Sequence, residues 1–131
     1  MADLVLRRML LGFMRLHVLY HADKEPTCGT ELMHELREHG YDVGPGTLYP
    51  MLRELLEAGH LACEARTVAG KRRKNYRATA GGRRLLAAAR EKLTELVDEI
   101  VHDRDAMKMR RGRGENAGRA KGGRKKSRRE S

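Results

Sequence analysis

Gly44-Pro45-Gly46-Thr47-Leu48-Tyr49-Pro50-Met51-Leu52-Arg53-Glu54-Leu55-Leu56-Glu57-Ala58-Gly59-His60-Leu61 is the stretch on which the reading of this chain turns. A glycine- and proline-rich start gives way to a helix whose Leu48, Leu52, Leu55 and Leu56 share an apolar face, and Gly59 closes it. Such a helix docks by its leucines and presents its first turn to the outside. Its start is ambiguous: with Pro45 as the first helical residue, Pro50 falls at the sixth position and removes the amide that would bond the Gly46 carbonyl. With Thr47 as the cap, Pro50 falls at the third position, where a missing amide costs nothing. In either register Tyr49 projects from the first turn.

Downstream, Leu61, Cys63 and Ala65 alternate with Ala62, Glu64 and Arg66 as a half-buried strand, Ala69-Gly70 supplies a turn, and Asn75-Tyr76-Arg77 returns. Between turn and return lie Lys71, Arg72, Arg73 and Lys74, so an exposed helix tip and a basic hairpin stand about 20 residues apart, a pairing that points to duplex DNA.

Upstream, about Leu4 to His21 carries Leu6, Leu10, Phe13, His17 and Tyr20 at helical spacing, with Leu11, Met14 and Val18 widening the stripe. A stripe that wide predicts a largely buried helix, capped by Asp3 and ended before Pro26. A second helix starts near Thr27 to Thr30, faces inward with Leu32, Met33 and Leu36, and stops at His39-Gly40. Three helices with short links form a trihelical unit, and the two-stranded wing makes it a winged helix.

Thr79 caps a fourth helix, loosened at its start by Gly81 and Gly82 at about 1 kcal/mol each. Leu86, Ala89, Leu93, Leu96 and Ile100 then recur in the a/d rhythm of a coiled-coil seam, which Val97 and Val101 broaden. A second copy of the chain covers this stripe, or it folds back on the first helix, or the two share it. The resulting domains are a winged helix-turn-helix at 1–79, a dimerisation helix at 80–106 and a disordered basic tail at 107–131, where apolar residues vanish.

Charge sharpens this picture. The chain has 131 residues and a net charge of +10. Residues 104–131 hold 12 Lys/Arg against 3 Asp/Glu, which leaves residues 1–103 with 16 against 15. The folded part is nearly neutral, yet no carboxylate occurs between Arg66 and Arg90, a local excess that suits an oriented anionic partner. Aromatics are few, so Leu, Val, Met and Ala must build the core. Cys28 and Cys63 lack CxxC spacing and read as small buried hydrophobes in a reducing cytoplasm; no signal peptide or membrane-length apolar run is present.

No enzyme is indicated, because no nucleophile with a plausible base can be assigned, and no cofactor is implied. His17 and His21 stand at i, i+4 with His34 and His39 nearby in sequence, but zinc sites normally need four ligands and no carboxylate or cysteine sits at motif spacing, so no metal site is expected.

With these features assembled, the chain resembles the PadR family of bacterial transcriptional regulators, particularly short members with one carboxy-terminal helix. Pro45-Gly46-Thr47-Leu48-Tyr49-Pro50 followed by Leu52, Leu55, Gly59 and Leu61 is the most specific element; Gly12-Phe13, Pro26, Gly29, Leu36, Gly40-Tyr41, Lys71-Arg72-Arg73 and Thr79 also fit. The resemblance implies a homodimer on an inverted-repeat operator, commonly as a repressor, with the third helix in the major groove and the wing along the backbone or minor groove. Gly46, Thr47, Tyr49, Pro50 and Arg53 then form the reading head, Arg53 being the candidate for guanine, while Lys71, Arg72, Arg73 and Lys74 contact phosphate. It also implies a small aromatic or drug-like effector between the first and fourth helices, with Met9, Phe13, Leu93 and Leu96 as lining residues. A cytoplasmic, nucleoid-associated protein follows. The competing class is a non-specific architectural or RNA-binding protein driven by the basic tail.

Overall fold

The computed structural model describes residues 2–103, and the expected basic tail lies outside them. The elements run α1 (Ala2–Lys24), β1 (Thr27–Cys28), α2 (Gly29–Glu38), α3 (Pro45–Glu57), β2 (Leu61–Val68), β3 (Lys71–Ala78) and α4 (Ala80–Leu96), followed by a π-helical turn at Val97–Val101. The chain divides into two compact units, Met1–Ala89 and Arg90–Ser131.

Helix α1 buries only its second half. Met14, Val18, Leu19 and Ala22 enter the core, whereas Leu4, Val5, Leu6, Met9 and Phe13 are exposed, as is Tyr20. The wide stripe therefore does not mean a largely buried helix. Before α2, at residues whose local pattern suggests a helix start, Thr27 and Cys28 form a short strand against Tyr76 and Asn75 of β3. This gives a three-stranded antiparallel sheet in the order β1-β3-β2.

Helix α2 ends as Gly40 adopts φ +91° and Tyr41 donates its amide to the Leu36 carbonyl at 3.1 Å. Arg37 Nε then donates to the Val43 carbonyl at 2.9 Å and holds the short link to α3. The ambiguous start of α3 resolves in favour of Pro45: Gly44 is the N-cap, its carbonyl accepting from the Thr47 and Leu48 amides, and Pro50 lies inside the helix. Leu48, Met51, Leu52 and Leu55 are buried, and Leu48→Ala would cost about 2–5 kcal/mol of fold stability.

In the wing, Leu61 pairs with Ala78 and Val68 with Lys71, so β2 and β3 are longer than their alternation suggested. Ala69 (φ +51°) and Gly70 (φ +77°) make the two-residue turn. Only the base of β2 is buried: Leu61 is in the core, while Cys63, expected inside, is exposed.

Thr79 caps α4 as expected, accepting from the Gly82 amide at 3.0 Å while its hydroxyl donates to the Gly59 carbonyl at 2.6 Å. Gly82 has a further reason to be glycine, because a Cβ there would meet the carbonyl group of His60, whose carbon lies 3.1 Å away. Helix α4 thereby pins the end of α3 and the base of the wing.

The core comprises Met14, Val18, Leu19, Ala22, Leu32, Leu36, Val43, Leu48, Met51, Leu52, Leu55, Leu61, Tyr76 and Leu86. Leu86 is thus corrected: it is 5% exposed and belongs to the monomer core, not to a seam for a second copy.

Candidate nucleic-acid interface

The leucines of α3 face inward and dictate what faces out. Gly46, Tyr49, Pro50 and Arg53 are exposed and Thr47 is half-buried, so the five sequence-derived reading residues share the solvent side of one helix. Among the described residues Arg53 has no recorded hydrogen bond or ion pair, whereas Glu54 beside it is tied back to α1 by Arg15 Nη2 at 2.7 Å. Its guanidinium stays available to planar acceptors such as the O6 and N7 edge of guanine.

The first turn of α3 has neither a side-chain cap nor an acidic residue, and a Cβ at Gly46 would meet nothing within 4 Å. With no acid to neutralise it, the positive end of the helix dipole forms an anion-attracting tip with room for close approach.

Tyr49 is placed by a residue that the sequence reading gave no role at the site. A Cβ on Gly29 would lie 2.7 Å from Tyr49 Cε1 and Cζ, so only glycine lets the phenol lie across the start of α2. The family resemblance had included Gly29; nothing local to its sequence marked the contact.

Between that helix start and the wing opens a cleft of about 410 Å³ lined by Cys28, Gly29, Thr30, Tyr49, Tyr76 and the basic run Lys71, Arg72, Arg73, Lys74. The four cations, read from the sequence as lying between the turn and the returning strand, are on β3 itself and are all exposed. Tyr76 is buried, and burial, with Cys63 and Tyr49 nearby, pushes its phenol pKa up, so it stays a neutral wall. Glu31 is the adjoining acid. It accepts from the Cys28 amide at 3.3 Å and the Thr27 hydroxyl at 3.0 Å, which hold its carboxyl below the ordinary value, with Arg73 adding to the effect. Spent on the cap of α2, it leaves the cleft dominated by cations.

The remaining sequence-derived residues distribute over both units. Met9 and Phe13 are exposed on α1 in the first unit; Ala89, half-buried, ends that unit. In the second unit Leu93 is half-buried and Leu96, Val97, Ile100 and Val101 are exposed, and Lys92 Nζ bonds Glu95 Oε1 at 2.7 Å. No helix among the described residues is long and apolar enough to cross a membrane.

A polar, anion-attracting helix tip, an uncommitted arginine one turn on and a basic strand, all held by one leucine core, define a winged-helix DNA-binding regulator. Comparison with known proteins makes that specific: residues 18–88 match the model of the transcriptional regulator PadR-like family. The chain is 44% identical over 96 residues to the transcriptional regulator Rv3488 of Mycobacterium tuberculosis, covering 73% of this chain and 90% of that one. Among solved structures, a PadR family regulator from Eggerthella lenta is 31% identical with a TM-score of 0.63, covering 77% of this chain and 93% of that one. A PadR-like regulator from Bacillus cereus is 25% identical with a TM-score of 0.68, over 72% and 94% of the two chains. The chain belongs to the PadR-like family of transcriptional regulators, which act by binding DNA and not as enzymes.

Proposed function

We propose that the chain acts as a homodimeric, sequence-specific repressor on an inverted-repeat operator. The observation that carries this reading is the joint placement of Gly46, Thr47, Tyr49, Pro50 and Arg53 on the free face of α3, with the basic residues of β3 sharing a cleft with Tyr49. In that arrangement α3 enters the major groove, Arg53 reads a guanine, and Lys71, Arg72, Arg73 and Lys74 clamp phosphate along the flank. A second copy supplies the other half-site. The exposed apolar residues of α1 and of the second unit supply surface for such a dimer, and a small aromatic or drug-like effector would modulate it.

Selection of bound sequences from random DNA tests symmetry and half-site spacing together. On the selected site, Tyr49→Ala and Arg53→Ala should each weaken binding by about 10- to 100-fold, corresponding to about 1–3 kcal/mol per lost contact, with fold and dimerisation intact. Unchanged specific binding in both variants would remove the reading head from α3. Deleting residues 107–131 should leave specificity in place; complete loss of binding would favour the non-specific, tail-driven alternative.

A further inference from the structure

The sequence offers His17 and His21 on one helix face, with His34 and His39 nearby in sequence but nothing to show which of them approaches the pair. The fold selects His39. His39, the C-cap residue of α2, stacks on His17 with ring centroids 4.5 Å apart, and the ligand nitrogens of His17, His21 and His39 all lie within 4.8 Å of one another. Glu35, one turn before His39, brings Oε1 to 3.6 Å from His21 Nε2. Two i, i+4 pairs, His17/His21 on α1 and Glu35/His39 on α2, therefore face each other across a helix–helix contact.

We propose that this cluster is a binding site for a divalent transition-metal ion of the zinc class, with three imidazole nitrogens and the Glu35 carboxylate as ligands. Four N/O donors with imidazole predominant suit Zn²⁺ and its neighbours. One ligand pair already stands near the spacing a bound ion requires. Ligand atoms on a tetrahedral ion with bonds of about 2.0–2.2 Å stand about 3.4 Å apart, close to the 3.6 Å between His21 Nε2 and Glu35 Oε1. That separation is too long for a hydrogen bond, and His21 Nε2 is buried with no hydrogen-bond partner. A buried polar atom in that state is destabilising, and a metal bond would relieve it.

The rings stack by their faces, so ligation requires them to turn until their nitrogens converge. The terminal torsion of histidine is broad, and rotation of this kind costs little. His39 is exposed and can swing furthest, giving the ion a route in from solvent. Tyr41 also packs on His17, its ring edge-on at 5.3 Å between centroids. Burial, then the neighbouring His39 and His21, disfavour the protonated form of His17, with Glu35 acting in the other direction; the neutral ring keeps a lone pair for a metal. His34 is excluded from the site, since it is exposed and directed to Glu38 at 3.7 Å. Residues 104–131 contain no histidine or cysteine to compete.

The test uses the full, untagged chain after chelator treatment, titrated with Zn²⁺ by equilibrium dialysis and with Co²⁺ by visible absorption. The wild-type chain should take up one ion per chain, show the intense ligand-field bands of four-coordinate Co²⁺, and melt at a higher temperature with zinc. His39→Ala, at an exposed helix end, and His17→Gln should each lower affinity at least 10-fold and abolish the Co²⁺ bands, with circular dichroism unchanged. His34→Ala should bind as wild type. Substoichiometric binding by the wild-type chain overturns the site, as does wild-type affinity in both His17→Gln and His39→Ala. Equal losses in His34→Ala and His39→Ala overturn it too, by showing diffuse histidine binding. Operator binding is not the readout, so this result stands or falls separately from the proposed function.

Discussion

Helices α2 and α3 both open with a glycine in the first turn, and they treat that turn in opposite ways. In α2, Glu31 reaches back to the Cys28 amide and the Thr27 hydroxyl, and Tyr49 lies over Gly29, so the helix start is closed by the protein's own groups. In α3, Gly44-Pro45-Gly46 offers no side-chain cap and no acid, and the space above Gly46 is empty. Stability alone favours the first arrangement, because an N-cap or first-turn carboxylate contributes about 0.3–2 kcal/mol. Leaving α3 without one is consistent with a turn kept for an outside anion. The closed start holds the fold and positions Tyr49; the open one carries no cap, acid or overlying side chain of the protein's own.

Closing α3 should break that division most severely. Gly46→Asp places a carboxylate where the chain has none and meets no steric obstacle. We expect melting temperature to hold or rise, since an acid in the first turn is worth about 0.3–1 kcal/mol and a helical glycine is replaced. Operator affinity should fall about 100-fold or more, like-charge contact costing several kcal/mol. Gly46→Asn, nearly the same size but neutral, should lose much less. Gel-shift titrations beside thermal melts separate the two effects, and equal losses in both variants would mean that shape, not charge, governs the tip.

Opening the other start tests whether Tyr49 needs its platform. Gly29→Ala forces the Tyr49 ring off α2, because atoms 2.7 Å from a new Cβ must move. The ring is half-exposed and can shift outward, so the fold should lose only about 1 kcal/mol, while operator affinity drops about 10-fold. A destabilised protein with undiminished affinity would show that Tyr49 does not act from this position.

How much of this was legible follows from what periodicity encodes. The leucine stripe of α3 was readable, and with it the exposed face, because a 3.6-residue repeat fixes inside and outside together. The Thr79 cap and the Ala69-Gly70 turn were readable from local chemistry. Periodicity does not name the surface that covers a stripe. Leu86 sits in register with Leu93 and Leu96 yet inserts into its own domain, and Leu6 shares a stripe with Val18 yet stays exposed. Strand β1 is two residues long, below any repeat, and exists because β3 offers a free edge beside it. The Gly29–Tyr49 contact and the approach of His39 to His17 join separate helices, so no spacing within one helix could announce them.

The smallest expected effect isolates the cap itself. Glu31→Gln removes the charge that the Cys28 amide and Thr27 hydroxyl favour, at a cost of about 0.5 kcal/mol, modest because the group is largely solvated. Those hydrogen bonds hold the folded Glu31 pKa below its unfolded value. Its contribution is therefore fully present above the unfolded pKa and disappears as pH falls through the folded one. Wild type and Glu31→Gln should differ in melting temperature at neutral pH and converge in acid, below the usual carboxylate range. Operator affinity should be unchanged or slightly raised, since the substitution deletes an acid adjoining the cationic cleft. A loss of affinity without a change in stability would reverse the comparison, assigning Glu31 to the partner and not to the helix it caps.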